Sequence, residues 1–417
     1  MNAAASTDLA EPVLIDRDPP PISRDRMILA WLGVVTVSYA GDAAWLVALA
    51  WTAVRHLDPT IAGLVVAIGT APQALLMLVG GVVADRFDPR RVLALGAVGQ
   101  GLTLVVGATL WPARTQSAGV LFGIALAFGV AAGLTLPSLN TLRRQIVRAE
   151  DLTTLSGWTQ VAGRLARLLG APVGAFLVAR AGLAVVMLVD AATFAAVALV
   201  MWRVVRPRYR LPKGVGQPHW FASLRDGLHY LATTPVARTF VIGLSSLNVF
   251  VSPVIGIGVA LSVNGSHWSS TWLGWAEAAF AAGAIGGSML GIRWRPPRMA
   301  AAGFRALIVQ GAAIALVGVS SRGTLLGAML LLGLTAGLAS VWLSSTFLLA
   351  IAPSHLGRVS SVNNLGDLML LPLVTPAFAA CAQLASVLAA TVTCGAAMAL
   401  LCAVFAMRPE IRSLRQP

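Results

Sequence analysis

Charge is scarce in this chain. Only 11% of its 417 residues are Asp, Glu, Lys or Arg, against about 25% in a soluble domain. Lys213 is the single lysine. So few charges cannot clothe a water-facing surface, and a soluble globular protein is excluded. Cysteine is scarce too. Cys381, Cys394 and Cys402 lie in the last apolar stretches, with neither a disulfide framework nor metal-ligand spacing. The five histidines, His56, His219, His229, His267 and His355, are unclustered, and no HExxH or Ser-His-Asp arrangement exists. No G-x-x-x-x-G-K-[ST] motif occurs, and Lys213 cannot complete one. A P-loop nucleotide site, and with it an ATP-driven pump, is excluded. The expectation is therefore no enzyme, no cofactor and no metal. The first 26 residues carry Asp8, Glu11, Asp16, Asp18 and the run Pro19–Pro21. That is no signal peptide, and residues 1–26 read as a disordered cytoplasmic tail.

What the chain has is apolar length. Hydrophobic residues make up 57%, and the mean hydropathy is +0.81. About 20 apolar residues span a bilayer as a helix. Runs such as Pro59–Ala84 and Thr115–Leu142 are uncharged and do not alternate, which excludes a β-barrel. Apolar runs bounded by charges and turn residues predict spans TM1 to TM12. They fall near 27–54, 60–84, 92–112, 117–138, 153–179, 183–203, 239–262, 269–292, 302–320, 324–351, 360–380 and 384–407.

The net charge of +14 fits basic cytoplasmic loops better than nucleic-acid binding. With the N-terminus inside, the tails and even-numbered loops hold 24 basic residues. The odd-numbered loops hold four: Arg55, Arg114, Arg180 and Arg322. Both termini are expected in the cytoplasm, and the protein in the cell membrane. The fold class predicted is an all-α membrane protein, about twelve transmembrane helices in two six-helix bundles. The bundles are residues 27–203 and 239–407, joined by a basic linker, 204–238, and followed by a short tail, 408–417. An amphipathic helix is expected around Phe221–Leu231. The halves repeat faintly: Gly63 and Gly80 in TM2 match Gly274 and Gly291 in TM8, and Pro172 in TM5 matches Pro376 in TM11. Trp268, Trp272 and Trp275 read as an interfacial belt.

Four acids fall within spans: Asp42, Asp190, Glu277 and Asp367. A charge at mid-bilayer costs roughly 2.5–3.5 kcal/mol on insertion scales, so each must meet a cavity, a partner or a proton. Asp42, near the middle of TM1, is the first candidate for proton binding; the alternative is a permanent pair with an arginine. Arg164 and Arg167 share a face of TM5. They either line the cavity, pairing with Asp42 or an anionic group, or meet lipid phosphates. Asp190 is a cavity candidate or a structural hydrogen-bonding group. Glu277 is a second proton site, a cation-selecting group, or a side chain snorkelling to the surface.

The loop after TM2 reads Gly81-Val-Val-Ala-Asp85-Arg86-Phe-Asp-Pro-Arg90-Arg91. It resembles the signature loop of the major facilitator superfamily. Gly41-Asp42 with Ala48-Leu49-Ala50-Trp51, Leu168–Gly174, Val189–Phe194 and Gly357-Arg358-Val359 resemble its macrolide-efflux and enterobactin-exporter branch. The resemblance implies a cytoplasmic gate in which Gly81, Asp85, Arg86, Arg90 and Arg91 meet the start of TM11, at Arg358 and Asn363; Asp367, one turn into TM11, either belongs to that gate or is interfacial. It also implies a TM5 kink at Gly170, Pro172 and Gly174, and a monomeric proton-coupled exporter of an amphipathic small molecule. An uptake carrier, a lipid flippase and a non-transporting membrane sensor remain alternatives.

Overall fold

The computed structural model describes residues 13–14, 20–113, 117–148, 150–210, 220–351, 353–409 and 411. Of residues 77–86, 353–358, 360–361, 364–365 and 367–368, among others, it describes the helical backbone alone. The helices are α1 Arg26–His56, α2 Pro59–Arg86, α3 Pro89–Ala113, α4 Ala118–Ile146, α5 Leu152–Arg203, α6 Trp220–Thr233 and α7 Pro235–Pro253. They continue as α8 Val259–Gly265, α9 Ser270–Arg293, α10 Met299–Val317, α11 Arg322–Ala350, α12 Pro353–Leu384 and α13 Val387–Met407. Among the described residues, eight segments are long and apolar enough to cross a membrane. One of them, α5, is long enough to cross twice. The chain turns at Gly182, whose φ of 79° suits a residue without Cβ. With α2, α9 and α12 this gives the twelve expected spans.

Two details were not expected. The seventh span is α7, a π-helical segment over Val254–Gly258, and α8. Pro253 precedes the π segment, removing a backbone donor there. The N-terminal tail is not wholly free either. Val13–Leu14 (β1) pairs antiparallel with Tyr209–Arg210 (β2). Asp25 caps α1, accepting from the Met27 and Ile28 amides, and forms a buried ion pair with Arg208. The amphipathic helix expected in the linker is α6.

Small residues let helix backbones approach where lipid offers no hydrophobic drive. A Cβ on Gly170 or Gly174 of α5 would strike the backbone of Ala40 or Ala44 in α1. Gly283 and Gly287 of α9 likewise face the backbone of Leu330 and Leu334 in α11, and Gly333 and Gly337 return the contact. In the first half α1 packs on α5 and α2 on α4; in the second, α9 packs on α11 and α10 on α13.

The halves meet where α2 contacts α12, α5 contacts α9, and α1 contacts α8. The described side-chain contacts between them gather at the face opposite the termini. The Thr60 amide donates to Gln383 Oε1 at 3.1 Å, and Asn264 Nδ2 donates to the Val54 carbonyl at 3.3 Å. Gly63 sits against Thr375, Pro376 and Ala379. Gly274 sits against the Phe176 ring, which also meets Trp275 edge-on with centroids 5.4 Å apart. Toward the termini α5, α9 and α12 carry exposed residues beside these contacts. On α5, Val173, Leu169 and Leu165 continue the Phe176 face, and Leu169 is 64% exposed. On α9, Ala282, Gly286 and Met289 continue the Trp275 face and are exposed. On α12, Leu373 and Met369 continue the Pro376 face and are exposed. Among the described residues, the side-chain contacts between the halves lie at the far face, and α2 packs along α12.

Candidate functional site

The close contact of α1 with α5 builds the site. Gly170 and Gly174 hold one side of α1, at Ala40 and Ala44. The second span of α5 holds the other, because a Cβ on Gly41 would fall on Asp190 Oδ1. Asp42 follows directly and lies within electrostatic reach of both Asp190 and Arg167. Asp190 is 1% exposed. Its Oδ1 accepts from Thr193 Oγ1 at 3.0 Å, while its Oδ2 has no hydrogen-bond partner. Asp42 is half-buried, and its Oδ1 also lacks a partner. Two carboxylates in one poorly solvated place cannot both hold charge cheaply.

A cation and a phenol complete the group. The Arg167 guanidinium lies 5.8 Å from the Tyr39 ring centroid. That ring rests on Gly163, where a Cβ would stand 3.1 Å from Cδ2. Arg143 of α4 is within electrostatic reach of Tyr39. Arg167 is exposed, Asp42 half-buried and Asp190 buried. The structure thus brings Asp42, Asp190 and Arg167 together. The alternative reading of Asp42, a fixed pair with an arginine, is not seen among the described residues, where Arg167 lies within electrostatic reach but forms no ion pair with it. Arg164 stands exposed one turn away and does not act on Asp42. Sequence reasoning missed Tyr39, although it precedes Asp42 by three residues, and so shares its helix face, in a chain with three tyrosines.

Other expected residues lie elsewhere. Glu277 does not snorkel: it is 5% exposed in the second half. Trp275, expected in an interfacial belt, packs on Phe176, whereas Trp268 and Trp272 stack under Arg322. At Gly170, Pro172 and Gly174 the helical φ/ψ persist, so the two glycines act as a contact surface for α1; within α5 only Gly182 leaves the helical region. The side chains of Gly81, Asp85, Arg86, Arg358 and Asp367 lie outside the described residues. Asn363 accepts from Ser245 of α7 at 3.3 Å.

Arg90 shows what the described part of the signature loop does. Its Nε and Nη2 donate to the Met201 and Trp202 carbonyls, each at 2.6 Å. A cation is thereby fixed at the negative end of α5, on carbonyls the helix leaves unpaired. Arg91 is exposed beside Asp88. Arg90→Ala is expected to fray the end of α5 and cost about 1–2 kcal/mol, since one of the two bonds is solvent-exposed. A fall in the melting temperature of the detergent-solubilised protein would register it; an unchanged melt would show that the last turn stands alone.

Residues 31–376 match the family model described as Major Facilitator Superfamily. Among curated proteins, the uncharacterized MFS-type transporter YfiS of Bacillus subtilis (strain 168) is 22% identical over 228 residues. The match covers 53% of each protein, so the chain spans about half the length of the curated relative it matches. The nucleoside transporter NupG superposes with a TM-score of 0.68 at 16% identity, over 91% of this chain and 97% of that one. A bacterial homologue of the iron transporter ferroportin, in an inward-facing state, gives 0.66 at 17% identity, over 92% and 99%. A bacterial Spinster homologue, inward-facing and unoccupied, gives 0.62 at 16% identity, over 93% and 96%. At these identities the solved structures speak for the fold, and the family match over residues 31–376 makes this chain a member of the major facilitator superfamily, a family of multi-pass membrane transporters and not of enzymes.

Proposed function

We propose that this transporter exports an amphipathic small molecule, such as a drug, antibiotic or siderophore, in exchange for protons. The observation that carries the reading is the Asp42–Asp190 pair, two carboxylates from different spans with an unpartnered oxygen each. A charge held there is costly unless it is exchanged for a proton or met by substrate. Arg167 beside Asp42 lets the pair hold one negative charge once a proton leaves. The exposed apolar faces of α5 and α12 supply the apolar part of a binding surface, and Arg164, Arg167 and Asp42 its polar part.

Residues 27–203 and 239–407 are the two bodies that rock about this site. With the termini in the cytoplasm of a bacterial cell, as the arginine distribution supports, the far-face contacts between the halves lie on the outer side and the exposed apolar faces of α5 and α12 lie toward the inside. Substrate enters there, and protonation of the pair from outside resets the carrier. The protein acts as a monomer. The test is efflux of a panel of dyes and antibiotics from expressing cells, with and without a protonophore. Extrusion that collapses with the proton gradient is expected. Downhill flux indifferent to the protonophore would overturn antiport in favour of a facilitator, and no flux of any compound in either direction would favour a non-transporting role.

A further inference from the structure

The first span of α5 carries more positive charge than its surroundings pair. Among the described residues Arg164 has no hydrogen-bond or ion-pair partner. Arg167 has the Tyr39 ring and the electrostatic reach of Asp42, and no hydrogen bond. Arginine keeps its proton in proteins, so both charges persist. At 1.5 Å per residue, Arg167 lies about 22 Å along α5 from Leu152 and about as far from Gly182. That is the middle of the span, where a bare cation is costly and faces a cavity or a partner.

The face that carries them belongs to the protein interior. Arg164, Ala171, Ala175 and Val178 lie on one stripe of α5. The stripe is exposed at Arg164 and half-buried at Ala171, then 0% exposed at Ala175 and 9% at Val178. It therefore leaves the core into a space that the protein itself borders. Arg167 opens on the same space, because Tyr39 and Asp42 of α1 stand beside it.

The arrangement matches one acidic group. Residues three apart on a helix are neighbours, with Cβ atoms about 5–6 Å apart. Two guanidinium groups at that spacing can grip a single carboxylate, sulfonate or phosphate. Tyr39 attracts the Arg167 charge without occupying an N–H donor. Apolar surface adjoins the pair: Val161 is 60% exposed and Leu165 45% exposed. The nearby acids do not cancel both charges. Asp190 is bonded to Thr193, and Asp42 reaches Arg167 but not Arg164. In the second half Glu277 is buried, and the side chain of Asp367 lies outside the described residues.

We infer that the transported molecule is an amphipathic anion, its acidic group held between Arg164 and Arg167 and its apolar part on the α5 surface beside them. The inference names the substrate class of the proposed site and rests on the export reading above. It does not depend on which acid carries the proton.

The experiment is uptake into inverted vesicles under an imposed proton gradient, with probes that differ in charge. Fusidate and deoxycholate are the anions, their methyl esters the neutral forms with the same apolar body, and rhodamine 123 and ethidium the cations. Accumulation of the anions alone is expected. Arg164→Gln with Arg167→Gln should raise their KM about tenfold or more, the worth of a charge-assisted hydrogen bond. Arg164→Lys with Arg167→Lys, which keeps the charge, should recover part of it. If the double Gln variant is not recovered folded, Arg164→Gln alone carries the same direction. Accumulation of the cations or the esters as well as the anions, or in their place, would overturn the anion class and leave export standing. Anion accumulation indifferent to the Gln variants would overturn the arginine site, as for arginines that hold lipid phosphates. No accumulation of any probe would overturn this inference together with the export reading.

Discussion

Asp42→Asn is expected to abolish concentrative transport while leaving the protein folded and still able to bind its substrate. Asn has nearly the shape of Asp and loses only the titration. One charge moved across 100 mV carries about 2.3 kcal/mol. At about 1.4 kcal/mol per decade, one coupled proton sustains roughly a fiftyfold gradient of substrate. The variant should therefore fall from accumulation of that order to simple equilibration. Asp190→Asn should act less severely. It leaves Asp42 half-buried beside Arg167, still able to exchange a proton with solvent. Thr193 would then donate to an amide oxygen in place of a carboxylate, so the local geometry survives. The check is substrate accumulation in inverted vesicles driven by an imposed proton gradient, alongside substrate-induced thermal stabilisation of the purified variant. Full accumulation by Asp42→Asn would assign the proton to another group, with Glu277 the next to test. Loss of both accumulation and substrate binding would make Asp42 a binding residue first.

How far this site could be read in advance follows from what a linear sequence carries. The spans were legible because apolar length is a one-dimensional property, and the break between TM5 and TM6 fell where Gly182 turns the chain. The repeat of Gly63 in Gly274 was legible as spacing, but its purpose was not. Both glycines turn out to seat the opposite half at the far face, one against α12 and the other against α5. Asp42 and Asp190 were each legible as intramembrane acids. Their meeting was not, because 148 positions separate them, and only the seating of Gly41 on Asp190 brings them together. The TM5 stretch Gly170, Pro172 and Gly174 was read as a kink with close packing, from its resemblance to exporters. Helical φ/ψ persist at that proline, and the close packing is seen in the two glycines that seat α1. Arg90 was read as part of a gate between halves, whereas its described bonds run to α5 of its own half. Charge type was visible in the sequence; the partner that claims a charge is a matter of tertiary placement.

The second large effect concerns the glycines that hold α1 against α5. Gly170→Val together with Gly174→Val is expected to leave little folded protein. At both positions an added Cβ meets the main chain of α1: at 2.8 Å from Ala40 Cα for Gly170, and against the Ala44 backbone for Gly174. Backbone cannot rotate away as a side chain can, so the helices must separate. Overpacking of this kind costs about 1–3 kcal/mol per site. Two adjacent sites on one contact consume a large part of a stability of about 5–15 kcal/mol. Gly41→Ala offers the contrast. Its added methyl meets Asp190 Oδ1, the end of a side chain that can swing aside. That variant should fold and insert yet lose coupling, because the displaced carboxylate no longer faces Asp42. Size-exclusion profiles and melting curves in detergent report the folding arm, and vesicle accumulation reports the coupling arm. Equal folding of all these variants would mean that α1 and α5 tolerate a wider spacing than their glycines imply. Coupling left intact in Gly41→Ala would mean that the carboxylates need not face each other, and Asp42 would then exchange its proton alone.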